Sequence, residues 1–82
     1  MVTIDFSENF EKIAKKIKDQ AAKEQIKKHI SKIIADPEIG KPMMYSRKGT
    51  RELYIAHYRL SYMYIQEQDK VVLLDIYHKD EQ

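Results

Sequence analysis

The segment from residue 51 to residue 64, RELYIAHYRLSYMY, constrains the fold most, because it predicts two β-strands joined by a tight turn near His57. In its second half, bulky and mostly apolar side chains occupy every other position: Tyr58, Leu60, Tyr62 and Tyr64. Successive side chains of a strand point to opposite faces of a sheet, so these four are expected in the core. Arg59 then lies mid-strand on the opposite face. An arginine fixed there either neutralises a buried carboxylate or binds a phosphate.

The N-terminal part of the chain predicts a short edge strand over residues 2–5, followed by a helical hairpin. Ser7 is a favourable N-cap residue, and apolar side chains then recur at the spacing of one helix face: Phe10, Ile13, Ala14 and Ile17. Asp19 caps a second helix with a similar stripe: Ala22, Ile26, Ile30, Ile33 and Ile34. Pro37 ends this helix, because proline disfavours helical backbone in the residue before it.

After Pro37 the chain predicts four sequential strands with short links, over residues 43–45, 51–56, 58–66 and 71–77. This is the pattern of an antiparallel meander. The 82 residues leave room for one core, so we expect a single α+β domain over 1–82 in the order β-α-α-β-β-β-β. The helix hairpin covers one face of the sheet. By alternation, the open face carries a mixed set of side chains: Glu52, Tyr54, Arg59, Ser61 and Met63.

Composition excludes several kinds of site. There is no cysteine, the three histidines are far apart in sequence, and no carboxylate cluster has the spacing of metal ligands, so we expect no metal and no cofactor. The two glycines do not form a phosphate-binding loop. The longest apolar run, residues 71–74, is far too short to span a membrane, and no signal peptide is apparent, so a cytoplasmic protein is expected.

Arg59 has two interpretations from sequence alone. It forms a surface ion pair with Glu52 across the strands, or it belongs to an anion site. Other basic residues favour the anion site if they converge on one rim of the sheet: Arg47, Lys48, Arg51, His78 and Lys79. A basic surface with tyrosines is typical of proteins that bind single-stranded RNA. Tyr54 either stacks on a base or is an ordinary surface tyrosine.

His78 is the candidate for proton transfer, since histidine side chains exchange protons near neutral pH. The alternative is a solvated ring near the C-terminus without a chemical role.

Several segments together resemble the RelE/ParE superfamily of toxin–antitoxin toxins, and the archaeal RelE group most closely. The resemblance covers essentially the whole chain. It begins with the Phe6…Phe10…Ile13 helix and the lysine-rich second helix. Four later segments follow in the same order: the loop Asp36-Pro37…Gly40-Lys41-Pro42, the strand Arg51-Glu52-Leu53-Tyr54-Ile55, the strand Tyr58-Arg59-Leu60-Ser61-Tyr62, and the terminal Ile76-Tyr77-His78-Lys79-Asp80-Glu81. It implies a cytoplasmic toxin that enters the ribosome, cuts mRNA in the A site without a metal, and is neutralised by a RelB-like antitoxin.

The resemblance also implies roles for individual residues. Arg59 matches the family's catalytic strand arginine and would stabilise the phosphate in the transition state. His78 would be the acid or base, Lys79 the second cation, and Glu52 a possible base. The remaining candidates contact RNA only: Arg47, Lys48, Arg51 and Tyr54.

The chain also departs from the family pattern. Bacterial RelE enzymes carry two lysines where this chain has Glu52 and Tyr54, and it lacks the tyrosine that many members have near their end. Two alternatives therefore stay open: a ParE-like toxin that inhibits a topoisomerase without cleaving RNA, and a relic that only binds an antitoxin.

Overall fold

The chain forms two helices and five strands in the predicted order β-α-α-β-β-β-β. The computed structural model describes residues 2–43 and 49–78. Along the chain the elements are β1 (Thr3–Phe6), α1 (Glu8–Lys16), α2 (Gln20–Ala35), β2 (Lys41–Pro42), β3 (Thr50–Ile55), β4 (Tyr58–Ile65), a short 3₁₀ turn (Gln66–Gln68) and β5 (Lys70–His78).

Both helices begin at the predicted caps. The Ser7 hydroxyl accepts a hydrogen bond from the backbone N–H of Phe10 at 3.0 Å, and the Asp19 carboxylate accepts one from the N–H of Ala21 at 3.0 Å. Ser7 also donates its hydroxyl proton to the carbonyl oxygen of Leu74, at 2.7 Å. The start of α1 is therefore tied directly to β5.

The five strands form one sheet in the order β1-β5-β4-β3-β2. All neighbours are antiparallel except β1, which lies at the edge and pairs in parallel with β5. The sequence predicted the edge strand but not its partner. The first meander strand was expected at residues 43–45, whereas β2 covers Lys41–Pro42. Residues 44 and 45 lie outside the described part of the chain.

The core lies between the helix hairpin and one face of the sheet. The predicted alternation of β4 is confirmed, because Leu60 and Tyr62 are fully buried on this side. They pack with apolar residues of both helices and of the neighbouring strands: Phe10, Ile17, Ile26, Ile33, Ile55, Val71, Leu73 and Ile76. Ile34 was expected in the α2 stripe but is 38% exposed, so that part of the prediction is wrong. Ile33, which was predicted in the same stripe, is fully buried in the core.

Tyr62 joins the sheet to the segment that follows α2. Its hydroxyl accepts a hydrogen bond from the N–H of Gly40 and donates one to the carbonyl of Pro37, both at 2.8 Å. A Cβ at Gly40 would lie 2.7 Å from the Tyr62 ring, so only glycine allows this approach. Arg51 donates from Nη1 to the carbonyls of Glu38 and Gly40, at 2.9 and 2.8 Å. Together these bonds hold the α2–β2 connection against the sheet.

We expect Tyr62→Phe to lower the free energy of unfolding by about 1–3 kcal/mol, because the Gly40 N–H and the Pro37 carbonyl both lose their partner. Urea denaturation followed by circular dichroism measures the loss. Tyr64→Phe is the matched control, since its hydroxyl bonds Asp69 at an exposed site, and a smaller loss is expected there. Equal losses in the two variants would contradict this role of Tyr62.

The two tyrosines also predict a loss of stability in alkali. Burial raises the pKa of Tyr62 above its ordinary value, and the bond to the Asp69 carboxylate raises the pKa of Tyr64. A raised pKa in the folded state means that the folded chain holds the proton more tightly than the unfolded chain. The associated stability is present below about pH 10 and is lost as pH rises through the folded pKa. The unfolding free energy of Tyr62→Phe should therefore fall less steeply above about pH 10 than that of the wild type.

Candidate functional site

The face of the sheet opposite the core carries two rows of paired side chains. In one row Arg59 of β4 lies between Tyr54 of β3 and Tyr77 of β5. In the other, Ser61 lies between Glu52 and Asp75. No helix of the described part of the chain packs on this face. Four residues predicted for the open face therefore lie together on it: Glu52, Tyr54, Arg59 and Ser61.

Arg59 contacts two of the predicted site residues. Its Nη1 lies 3.9 Å from Oε1 of Glu52, and its Cζ lies 4.7 Å from the centroid of the Tyr54 ring. The Glu52 side chain is 4% exposed and that of Arg59 27% exposed. The ion pair expected as one interpretation of Arg59 is therefore present, at a separation longer than a hydrogen bond. The Arg59 side chain is partly exposed, so a ligand could still reach it.

Tyr77 completes this cluster, although the sequence did not suggest it. Its hydroxyl donates to Oε2 of Glu52. We call Glu52, Arg59 and Tyr77 the Arg59 cluster. It combines a buried carboxylate, a phenol that donates to it, and a partly exposed cation on three adjacent strands.

An irregularity in β5 explains why Tyr77 is in the cluster and His78 is not. The register between β4 and β5 shifts at Ser61/Tyr62, so that Tyr62 pairs with Leu73 but Ser61 pairs with Asp75. Leu74 is the extra residue of a β-bulge, and alternation reverses beyond it. Without the bulge, residues 76 and 78 would share the face of Arg59. With the bulge, residues 75 and 77 do.

His78 consequently lies on the helix side of the sheet, among other rings. Its ring stacks on His57 with centroids 5.9 Å apart and an interplanar angle of 17°. It meets the Tyr58 ring edge-on at 5.4 Å. The expected acid or base is thus not brought to the Arg59 cluster.

Arg51 also lies on the other face, paired with Tyr62, and its guanidinium binds two backbone carbonyls. The expected convergence with Arg59 is therefore not formed. Arg47, Lys48 and Lys79 fall outside the described residues, and their predicted roles stay predictions.

On the face of Arg59, the described residues carry equal numbers of positive and negative charges. Among the described residues, three cations (Lys41, Arg59 and Lys70) share it with three carboxylates (Asp5, Glu52 and Asp75). Lys70 is already paired with Asp5, at 3.0 Å. Oδ1 of Asp75 is buried and has no hydrogen-bond partner within the described part of the chain. The basic rim expected from sequence is thus not formed by residues 2–43 and 49–78.

Two further classes of site are absent from the described ranges. No three histidine or acidic side chains there are grouped so that they could hold a metal ion. Neither α1 nor α2 is long and apolar enough to cross a membrane.

Comparison with known proteins places the chain in a family. Residues 2–82 match the family described as the ParE toxin of the type II toxin–antitoxin system parDE. The chain therefore belongs to the ParE toxin family, and with it to the RelE/ParE superfamily of type II toxin–antitoxin toxins. No curated protein matches the chain.

Solved structures of related toxins share the fold at low sequence identity. The E. coli RelBE toxin–antitoxin complex matches with a TM-score of 0.79 and 23% identity, over 93% of this chain and 94% of that chain. The RelBE2 complex from Mycobacterium tuberculosis gives 0.83 and 23%, over 95% and 98%. A YoeB/ParE toxin from Agrobacterium tumefaciens gives 0.83 and 14%, over 94% and 98%. These likenesses confirm the predicted fold.

We expect Tyr77→Phe to lower the free energy of unfolding by about 1.5–3 kcal/mol, because a buried carboxylate loses a hydrogen-bond donor. Chemical denaturation measures this loss. Tyr54→Phe is the control: it keeps the ring beside Arg59 at an exposed position, and a change within about 0.5 kcal/mol is expected. If Tyr77→Phe were as mild as Tyr54→Phe, the hydroxyl would not support Glu52.

Proposed function

We propose that this toxin is a metal-independent endoribonuclease that cuts mRNA in the ribosomal A site and so inhibits translation. The observation that supports the proposal is the Arg59 cluster, in which one carboxylate contacts both a phenol and a partly exposed guanidinium. These are the groups that cleavage of RNA by its own 2′-hydroxyl requires: a base, an acid and a cation at phosphorus.

In the proposed reaction, the ribose 2′ oxygen attacks the adjacent phosphorus and the bond to the 5′ oxygen breaks. Glu52 would take the 2′ proton, and Tyr77 would give a proton to the leaving oxygen. Arg59 stabilises the charge that builds up on the non-bridging oxygens. Tyr54 offers an exposed ring for a neighbouring base. Lys79 would supply a second cation, and Arg47 and Lys48 would contact RNA. Because of their placement, His78 is left out of the catalytic set and Arg51 out of the RNA contacts.

We also propose that a RelB-like antitoxin neutralises the toxin in the cytoplasm. Similar folds were solved as RelBE complexes, and the E. coli RelE double mutant was solved with a peptide of its antitoxin. This chain offers a place for such a partner at its β2 edge. A cleft of about 350 Å³ there is lined by Ile39, Lys41, Glu52, Leu53 and Tyr54. Ile39 and Tyr54 are 42% and 58% exposed, as expected of a surface that a partner covers.

The second candidate is a ParE-like toxin that inhibits a topoisomerase and cleaves nothing. The matching family description favours it, as do Glu52 and Asp75, the two carboxylates in the row next to Arg59, because they oppose an incoming phosphate. A relic that only binds an antitoxin is a third outcome of the same experiment.

A reconstituted translation system, with cuts mapped by primer extension, tests the proposal. We expect the wild type to cut mRNA at the A-site codon, and Arg59→Ala to reduce cutting by about 10²-fold or more, because a charge contact of the transition state is lost. Lys28→Ala on the exposed side of α2 is the control for loss of one positive charge, and it should cut like the wild type.

Thermal unfolding of each variant verifies that it is folded, since Arg59→Ala removes the cation beside a buried carboxylate. If the folded wild type leaves translating mRNA intact, the endoribonuclease proposal is wrong. Growth arrest on expression would then favour the topoisomerase inhibitor, and its absence the relic.

A further inference from the structure

A second candidate site lies on the opposite side of the sheet, between the end of α1 and the end of β5. A cleft of about 430 Å³ opens there. Its lining comes from the C-terminal turn of α1, the segment that follows, and the ends of β4 and β5: Ile13, Lys16, Ile17, Lys18, Tyr58, Ile76, Tyr77 and His78. We call it the lysine cleft. Its volume is in the range of sites that hold small organic ligands.

The charge of the lysine cleft is of one sign. Lys16 and Lys18 are both exposed, and among the described residues no carboxylate lines the cleft. The face of Arg59, in contrast, has as many carboxylates as cations. The charges of the described residues therefore attract an anionic ligand more strongly to the lysine cleft than to the Arg59 cluster.

Aromatic rings form one wall of the lysine cleft. Tyr58 and His78 line it directly, and His57 stacks on His78 almost in parallel, at 17°. His57 is exposed, so this group of rings reaches the surface at the turn between β3 and β4. A smaller cleft of about 220 Å³, lined in part by Asp19, lies on the far side of Tyr58 and His57. Among the described residues, lysines line the larger of these two clefts and not the smaller one.

We propose that the lysine cleft binds a segment of single-stranded RNA, with Lys16 and Lys18 at its phosphates and a base stacked on the rings of His57, Tyr58 and His78. This extends the proposed function, because it names where the substrate RNA is held outside the Arg59 cluster. In single-stranded RNA, phosphates alternate with bases, so exposed lysines can contact the phosphates while the neighbouring rings stack on a base. An acidic peptide would use the lysines but would leave the ring wall without a partner.

Direct binding of RNA tests this site without ribosomes or cleavage. The probe is a fluorescein-labelled oligouridine of about ten nucleotides, titrated with protein and followed by fluorescence anisotropy. We expect the double variant Lys16→Ala, Lys18→Ala to bind at least about tenfold more weakly at low salt. Its salt dependence should be flatter by about 1.4 in log–log slope, since each lost phosphate contact removes about 0.7.

Matched variants separate the cleft from general surface charge. Lys27→Ala with Lys28→Ala removes the same charge from the exposed side of α2, outside the cleft, and should change affinity less than about twofold. For the rings, His57→Ala should weaken binding about fivefold or more, and His29→Ala on α2 should leave affinity unchanged. Equal losses in cleft and control variants would overturn the proposal.

Three combinations of results distinguish an RNA site in the lysine cleft from an acidic-protein site and from the cleavage activity. If polyglutamate binds through Lys16 and Lys18 while the affinity for oligouridine is the same in all variants, the cleft takes an acidic protein and the RNA proposal fails. If mRNA is cut on the ribosome but the cleft variants bind oligouridine like the wild type, the RNA site alone is wrong. If the cleft variants lose affinity for oligouridine and the wild type cuts no mRNA, the RNA site is supported and the endoribonuclease proposal is wrong.

Discussion

The bulge at Leu74 is the constraint on which the arrangement of both faces depends. The carbonyl of Leu74 accepts the Ser7 hydroxyl at 2.7 Å, and the carbonyl of Leu73 accepts the Ser7 N–H at 2.9 Å. The residue that caps α1 thereby also binds β5 where its alternation reverses. Before the bulge, Val71 and Leu73 point to the core, and after it Ile76 does. A regular strand would bury the carboxylate of Asp75 under the helices instead, which is costly without a partner.

Local chemistry made much of the fold predictable. Ser7 and Asp19 cap their helices because their side chains satisfy free N–H groups only a few residues away. The alternation of β4 is equally local, because residues 58 to 63 pair without interruption on the β3 side. The parallel pairing of β1 with β5 was not predictable in this way. It joins segments almost seventy residues apart, and no pattern within either strand specifies the partner.

The candidate site shows the same division between local and distant causes. Glu52, Tyr54 and Arg59 were predicted together because they belong to one hairpin, whose two-residue turn fixes their register. His78 was chosen because histidine exchanges protons near neutral pH. Regular alternation over β5 would have placed it on the face of Arg59, but the bulge places Tyr77 there. An apolar residue at position 76 between two polar ones is the signal that could have revealed the reversal. The placement of Arg51 was also not predictable from the strand pattern. Its guanidinium bonds two carbonyls of the segment between α2 and β2, and the strand pattern does not specify the path of that segment.

Tyr77 and His78, neighbours in sequence, connect the two candidate sites at one end of the sheet. The Tyr77 hydroxyl contacts Glu52 of the Arg59 cluster, and Tyr77 and His78 both line the lysine cleft. An RNA strand held in the lysine cleft that also reaches Arg59 must therefore pass around the end of β5. The electrostatics suit such a path. In the proposed function, the phosphate to be cleaved would lie beside Arg59, on a face whose described charges balance, and the flanking phosphates would be held by Lys16 and Lys18 on the other side. Affinity and catalysis would then be supplied by different faces, and a carboxylate beside Arg59 would be compatible with binding RNA.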